Sequence, residues 1–431
     1  MAEISPSANG AENLEEVCKD DVCTTLHRKL GTANFVVLRY TLEPLIQRIG
    51  LLGDHSLLHV SFLDQTGEER TLTFFLKYFP KFAACANFAE GIGAFKKEMF
   101  VYDLFDTFKK NGIHLIPSVT ARCHIARYNK YLILDDLVSE GFNTLDKQKI
   151  LDYDSVLIVL ESLAKLHASS LIFEEKRSVE SGERYRLIDE YEDQLEETFF
   201  NDREGFINAK GVEASIKCVV SEIDIFNFPD KLASGKSFSE VARQVCYKIY
   251  KLVKPSKRFR NVLCHGDLWA TNFLLKYSVL GQPVTGCKFV DFQCGRYVPP
   301  AQDVLSLLHL TTDREFRKEH MYQVIGMYYS YLEKHLTVAG LHLHNMIPFS
   351  SFMDSCEEQK LFAIIQTAIY FPLILIGNDE VEAYFSDREL NEKALFEDRS
   401  YLVLAHKDKD EAYAKRLKES IQDLRDYCEH V

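Results

Sequence analysis

Leu58, Val60 and Phe62 alternate with the polar His59 and Ser61, a period of two that predicts a strand with one buried face. After a polar turn at Gln65-Thr66-Gly67-Glu68 the pattern resumes, with Leu72, Phe74 and Leu76 on one face and Thr73, Phe75 and Lys77 on the other. The period then becomes helical. Phe95, Met99, Tyr102, Phe105 and Phe108 recur on one side, Lys109 and Lys110 sit in the last turn, and Gly112 predicts the stop. Cys123 to Tyr128 and Tyr131 to Leu134, joined at Asn129-Lys130, predict a second antiparallel pair. Up to this point the order is strand, strand, helix, strand, strand. Beyond Asp136 helical spacing dominates, as in Val156, Val159, Leu160, Leu163 and Leu166, before which Asp154 is the expected cap. Val324, Met327, Tyr328 and Tyr331 predict another packed helix, and a charged helix is expected from about Asp410 to Cys428. One hairpin interrupts them: Phe273 to Tyr277, a turn at Leu280-Gly281-Gln282-Pro283, and a returning strand from Cys287 to Phe292. The fold class expected is α+β, a small antiparallel β lobe followed by a larger, mainly helical one.

Composition narrows the partners more than the fold. With 431 residues the chain can bury a large core, and 46% apolar with 27% charged residues is ordinary globular usage. The net charge of −13 argues against nucleic acid or an anionic membrane as partner, since both call for a basic surface. A polyanionic ligand would need a local cationic site instead. Eleven cysteines without a C-x-x-C pair fit neither a disulfide framework nor a zinc cluster. Ala363 to Gly377, the strongest apolar run, is broken by Gln366 and Pro372 and reads as a buried helix rather than a membrane span. A cytoplasmic protein with reduced thiols is expected. Residues 1–22, polar and acidic, are expected to form a flexible tail, 23–136 the small lobe and 137–431 the large one. The charge-dense stretch from Glu174 to Glu204 is expected to be a solvated helical face or loop insertion. His342-Leu343-His344 resembles a metal pair on a strand but lacks accompanying ligands.

The chemistry concentrates in His265-Gly266-Asp267-Leu268-Trp269-Ala270-Thr271-Asn272 and in Val290-Asp291-Phe292-Gln293. In the predicted hairpin the start of the first strand lies beside the end of the second, which brings Asn272 and Asp291 to one edge, with Asp267 approaching from the preceding loop. A carboxylate to orient an attacking hydroxyl, plus two oxygen ligands for a magnesium ion, are what phosphoryl transfer needs. H-G-D-x-x-x-x-N followed by an apolar-flanked D-F parallels the catalytic loop and metal-binding Asp of kinases. His265 is expected to order the loop by hydrogen bonding and Gly266 to remove bulk at its turn. Trp269 either walls the acceptor site or simply packs. Gly50-Leu51-Leu52-Gly53-Asp54-His55 is a candidate phosphate-covering loop in which Gly53 would let backbone N–H groups approach phosphate.

These motifs, with Leu132-Ile133-Leu134-Asp135-Asp136-Leu137, Glu140-Gly141-Phe142, Phe74-Phe75-Leu76-Lys77 and Leu163-Ala164-Lys165-Leu166-His167-Ala168, resemble the ecdysteroid-kinase-like family of insects. That family lies within the aminoglycoside phosphotransferase and choline kinase branch of the protein-kinase-like fold, and the likeness covers roughly residues 25 to 420. It implies a two-lobed kinase using ATP and Mg²⁺. Lys77 would pair the nucleotide phosphates, Glu98 would hold that lysine, and Asp135 to Leu137 would bind adenine through main-chain groups. Asp267 would be the catalytic base, with His265 beside it, and Asn272 and Asp291 the metal ligands. Asp135 stands where the family usually has Glu. Asp303, after Pro299-Pro300, matches a family position expected to cap a helix. The acceptor implied is a small molecule with a hydroxyl, an ecdysteroid or a hydroxylated toxin or xenobiotic. A choline- or aminoglycoside-type kinase and a non-catalytic nucleotide-binding pseudokinase stay open as alternatives, as does the oligomeric state.

Overall fold

The computed structural model describes residues 17–45, 53–81, 83–279, 283–377, 380–381, 384 and 387–431. The small lobe opens with α1 (Lys19–Leu30) and continues through β1 (Val36–Pro44), β2 (Asp54–Leu63), β3 (Glu69–Tyr78), α2 (Ala83–Gly91), α3 (Ala94–Lys110), β4 (Cys123–Arg127) and β5 (Tyr131–Asp135). Its sheet is antiparallel in the order β1-β2-β3-β5-β4. The alternation over β2 and β3 sorts the faces as expected. Leu58, Val60, Phe62, Phe74 and Leu76 are buried with Val22 and Leu26 of α1, while Phe75 packs on the core that contains α3. Burying one face of each strand fixes the register, because a slip of one residue would turn every apolar side chain outward.

Three small-lobe elements depart from the expectation. Val17 and Val22 are buried, so the lobe begins before residue 23 and the tail boundary drawn at residue 22 moves back. α1 places its apolar residues against the sheet and its acids in the first turn, where the helix dipole favours them. β1 is an added edge strand, largely exposed, and its weak alternation explains why it does not stand out. α2 packs away from the sheet, with Phe88 against Phe199 and Phe396 of the large lobe.

The large lobe begins with β6 (Phe142–Thr144) and α4 (Tyr153–Ser181). α4 is long and apolar enough to cross a membrane, but 72% of its most apolar window is buried inside the lobe, as in a core helix. Its cap is Asp152, whose carboxylate accepts from Ser155 N–H; Asp154 lies inside the first turn instead. The catalytic segment comprises β7 (Val262–Cys264), β8 (Phe273–Tyr277), β9 (Val284–Phe289) and β10 (Arg296–Val298), with β7 paired to β10 and β8 central between β6 and β9. Residues 280–282 of the expected turn lie outside the described residues. Of the long helices that follow, Arg314–Val338 packs on α4, Ala301–Thr311 on Phe349–Ile374, and Phe349–Ile374 on Glu411–Cys428, while α4 itself packs on β7 and β9. The run from Ala363 is buried within Phe349–Ile374, as its composition suggests. His342 and His344 fall at a short helix, Leu343–Met346, and not on a strand.

The charge-dense stretch from Glu174 to Glu204 is largely exposed or half-buried, as its composition suggests, with Glu174 itself the exception among its charged residues. Glu174 is fully buried, where it accepts from Tyr297 OH at 2.6 Å, Leu187 N–H at 2.8 Å and Arg260 at 2.8 Å. Partners far along the chain satisfy this carboxylate, which local composition cannot reveal. All eleven cysteines are free: Cys18 is exposed, Cys23 and Cys123 are half-buried, and the others are buried.

Candidate active site

The cleft between the lobes encloses about 720 Å³ of empty space, counting the part open to solvent. Lys77, Glu98, Asn272 and Asp291 lie toward its charged end, and Leu134, Asp135, Leu137, Val138 and Leu274 line it as well. Lys77 leaves β3 on the face opposite α1, and Glu98 meets it from α3. The ammonium lies 2.7 Å from Glu98 Oε2 and 2.8 Å from Asp291 Oδ1. Lys77 is 4% exposed and Glu98 0%. Burial alone would pull the lysine pKa down, but Asp291 and Glu98 outweigh it and hold the ammonium above its usual value. One cation cannot fully compensate two carboxylates. Burial, and after it the Asp291 charge, push Glu98 above its usual value despite the lysine beside it. Gly53, at φ +125°, lies beside Lys77: a Cβ there would sit 3.2 Å from Tyr78 O and in ordinary contact with the Lys77 side chain. Gly50, Leu51 and Leu52 of the proposed covering loop lie outside the described residues.

The H-G-D loop follows β7. Gly266 adopts φ +81°, and a Cβ there would collide with the carbonyl oxygen of Cys294. His265 is buried and neutral, burial holding its pKa down. Its Nε2–H donates to Val290 O at 2.9 Å and its Nδ1 accepts from Asp267 N–H at 3.3 Å. With both nitrogens engaged, the ring orders the loop; it packs on Phe292 at 4.7 Å between centroids.

Asp267 Oδ2 accepts from Asn272 Nδ2 at 2.9 Å, and the same amide donates to Asp267 O at 2.8 Å. Asp267 Oδ1 is buried with no partner among the described residues. Burial, then the Asp291 charge, pushes Asp267 up to about 7. The Asn272 amide nitrogen is committed to Asp267, and its Oδ1 accepts only a long contact from Thr271 Oγ1 at 3.5 Å, which leaves acceptor capacity on a residue that lines the cleft.

The hairpin geometry matches the expectation: Val290 N–H donates to Asn272 O at 2.9 Å, which sets Asp291 next to Asn272. The returning strand nevertheless stops at Phe289. Asp291 sits in the left-handed region at φ 65°, and Phe292 begins a 3₁₀ turn. Phe292 then packs on Tyr102 and Phe105 of α3, coupling the helix that carries Glu98 to the segment that carries Asp291.

Asp303 does not cap its helix as expected. Helix Ala301–Thr311 has no side-chain cap, and the Asp303 carboxylate instead accepts the main-chain N–H groups of His265 at 2.6 Å and Gly266 at 2.9 Å. His167 Nε2 lies 3.1 Å from the same carboxylate, with Tyr328 OH 2.7 Å from the other ring nitrogen. Burial works against this charge, but the His167 contact and the loop N–H groups hold it below the usual carboxylate range. His167, Cys264 and Asp303 also bring metal-ligand atoms together, yet these hydrogen bonds account for His167 and Asp303.

Sequence reasoning missed the Asp303 anchor and the buried Arg296, whose Nε lies 2.9 Å from Glu197 Oε2. The L-A-K-L-H-A motif was the one signal for the first, and nothing local signalled the second. Trp269 is buried in an apolar cluster with Phe371 and Leu373. Asp135 holds the hinge by its side chain, through Lys29 and His124, and Leu137 N–H has no acceptor among the described residues.

No curated protein sequence matches the chain. Solved structures similar to it include the GDP complex of wild-type aminoglycoside 2'-phosphotransferase-IIIa, at 12% identity over 95% of this chain and 99% of that one, TM-score 0.37. The microcompartment-associated aminopropanol kinase is similar at 11% identity over 87% of this chain and 95% of that one, TM-score 0.34. The profile of the ecdysteroid kinase-like family matches residues 56–341, which takes in parts of both lobes, the Lys77–Glu98 pair and the whole catalytic segment; the chain belongs to this family.

Proposed function

We propose that the protein transfers the γ-phosphate of ATP to a hydroxyl of a small molecule, an ecdysteroid or a hydroxylated toxin. The observation that carries this reading is the buried Asp267. One of its oxygens is fixed by Asn272 and the other has no hydrogen-bond partner among the described residues, while Asp291, whose charge reaches Asp267, holds Lys77 together with Glu98. The acceptor hydroxyl would donate to Asp267 Oδ1. As its oxygen forms the new bond to the γ-phosphorus, the bond to the β-phosphate oxygen breaks, ADP leaves, and Asp267 takes the proton late. Lys77 would hold phosphate oxygens, and the main chain at Asp135 to Leu137 would hold adenine.

Asn272 Oδ1 and the Asp291 carboxylate are the oxygen donors that would hold magnesium, and their chemistry fits a hard divalent cation. When bound it neutralises charge on the transferring phosphate. The acceptor class rests on family membership, and a choline or aminoglycoside acceptor is the competing expectation.

The test pairs calorimetry of Mg-ATP binding with mass spectrometry of phosphate transfer to a panel of hydroxylated steroids, plant alcohols, choline and kanamycin. Asp267→Asn should keep ATP affinity within about twofold while turnover falls by about 10²–10⁴, because its interaction matters mainly in the transition state. Asp291→Asn should weaken magnesium-dependent ATP binding as well. Transfer retained in Asp267→Asn would remove that residue from catalysis. A wild-type protein that binds ATP and phosphorylates nothing in the panel would be a nucleotide-responsive binding protein instead.

A further inference from the structure

We propose that α1 is a clamp on the hinge and that Lys29 is a positioning residue for the nucleotide, although both lie outside the span that defines the family. The proposal deepens the ATP-binding reading above and rests on it.

α1 is fastened at both ends. Near its start the buried Asp21 carboxylate accepts from Tyr131 OH at 2.6 Å and Arg127 Nε at 3.0 Å. Near its end Arg28 Nη1 donates to His124 O at 2.7 Å, and Lys29 Nζ donates to Asp135 Oδ1 at 2.7 Å and Glu140 Oε1 at 3.2 Å. Gly31 then closes the helix in the left-handed conformation, its N–H on His27 O. The contacts continue across the hinge. Glu140 Oε2 accepts from Lys288 Nζ of β9 at 2.9 Å, and Glu140 O accepts from Lys276 Nζ of β8 at 2.9 Å. One line of alternating charge therefore runs from the first helix, through the hinge, to the hairpin that carries Asn272 and precedes Asp291.

What the clamp holds is the main chain expected to meet the base. Asp135 takes three donors on its carboxylate: Lys29, His124 Nε2 at 2.8 Å and Arg122 N–H at 3.3 Å. Downstream, Asp136 Oδ1 accepts from Val138 N–H at 3.0 Å and Leu137 O from Phe142 N–H at 3.0 Å. The hinge carboxylates are thus tied down while Leu137, whose N–H has no acceptor among the described residues, lines the cleft. Exposed ion pairs contribute little. This one differs because the Asp135 side chain is only 10% exposed, against 31% for Lys29, and a buried carboxylate that loses a cation is left poorly compensated. The strand end would then shift to find water, taking the base-binding groups with it. Such a shift weakens nucleotide binding in ground and transition states alike, so it raises KM for ATP and spares kcat.

Mg-ATP affinity of the full chain by calorimetry, with melting temperature and steady-state kinetics alongside, tests this. Lys29→Met should raise Kd by about fivefold with kcat at saturating ATP within about twofold, the size of effect usual for a residue acting through others. Lys29→Arg should restore affinity to within about twofold. Asp21→Asn loosens the far end of α1 without touching the hinge. It should lower the melting temperature yet leave Kd within about twofold. If Lys29→Met does not fold, Glu140→Gln takes its place, with a smaller rise in Kd expected. Wild-type affinity in Lys29→Met, or in Glu140→Gln as its replacement, overturns the proposal. So does equal weakening by Asp21→Asn, which would make α1 a stabiliser only. A wild-type protein that binds ATP without transferring phosphate would defeat the proposed activity and leave this effect readable by calorimetry. One that binds no ATP would end both.

Discussion

Gly266 illustrates how much one residue of the catalytic loop is committed. Its φ of +81° disfavours any side chain, and the Cys294 carbonyl fills the space a Cβ would need. Gly266→Ala should therefore lose about 2 kcal/mol or more of stability, with loss of turnover, measured by denaturant unfolding and phosphate transfer. A variant as stable and active as wild type would mean that the loop has another accessible path. The sequence made Gly266, Lys77, Asp267, Asn272 and Asp291 legible because each belongs to a short motif, whereas Glu98 came only from the family resemblance. It did not reveal the left-handed backbone of Asp291, since Val-Asp-Phe reads locally as strand. Nor did it reveal Asp303 as a loop anchor, which depends on main-chain groups far away along the chain.

Among elements, legibility followed burial of a single face. β2, β3 and α3 bury one side each, so their periods are clean. β1 is exposed along much of its length, and α1 hides its few apolar residues among charges. Helix Ala301–Thr311 is buried all round and so carries no pattern, yet it is the platform for the catalytic loop through Asp303. Asp303→Ala would strand two buried N–H groups, each costing about 1–3 kcal/mol. A lower melting temperature and a fall in kcat of about tenfold or more are expected, with Kd for Mg-ATP little changed, because Lys77 and the hinge do not depend on that helix. Kinetics and calorimetry on one preparation decide it, and a larger loss in ATP affinity than in kcat would contradict the assignment.

At the scale of the whole molecule, the two lobes and their order were readable from the switch of period near Asp136. The interior charges were not. Glu222, within helix Asn208–Ile225, is fully buried; one oxygen meets only the Cys218 thiol and the other has no partner among the described residues. Burial raises its pKa well above the ordinary value of 4.5. An acid whose pKa is raised by folding keeps its proton in the native state after the unfolded chain has lost it. Its burden on stability is therefore absent below about pH 4.5 and grows as pH rises towards the native pKa. Glu222→Leu should flatten that decline and raise stability at pH 8 by about 1–3 kcal/mol, the usual cost of an unpaired buried polar group. Denaturant melts at pH 5 and pH 8 measure it. Parallel pH dependence in the two proteins would show that Glu222 keeps a partner in solution.

The distribution of thiols has a kinetic consequence. A reagent that attacks thiolates can reach Cys18 directly, whereas Cys264 and Cys294, on either side of the Asp267 loop, are buried and burial raises their pKa well above the ordinary value. They can react only in molecules that have momentarily opened. The lag between fast labelling at Cys18 and slow labelling at these two sites is thus a clock for breathing of the catalytic loop, and a bound nucleotide that steadies the loop would slow the clock without touching either sulfur.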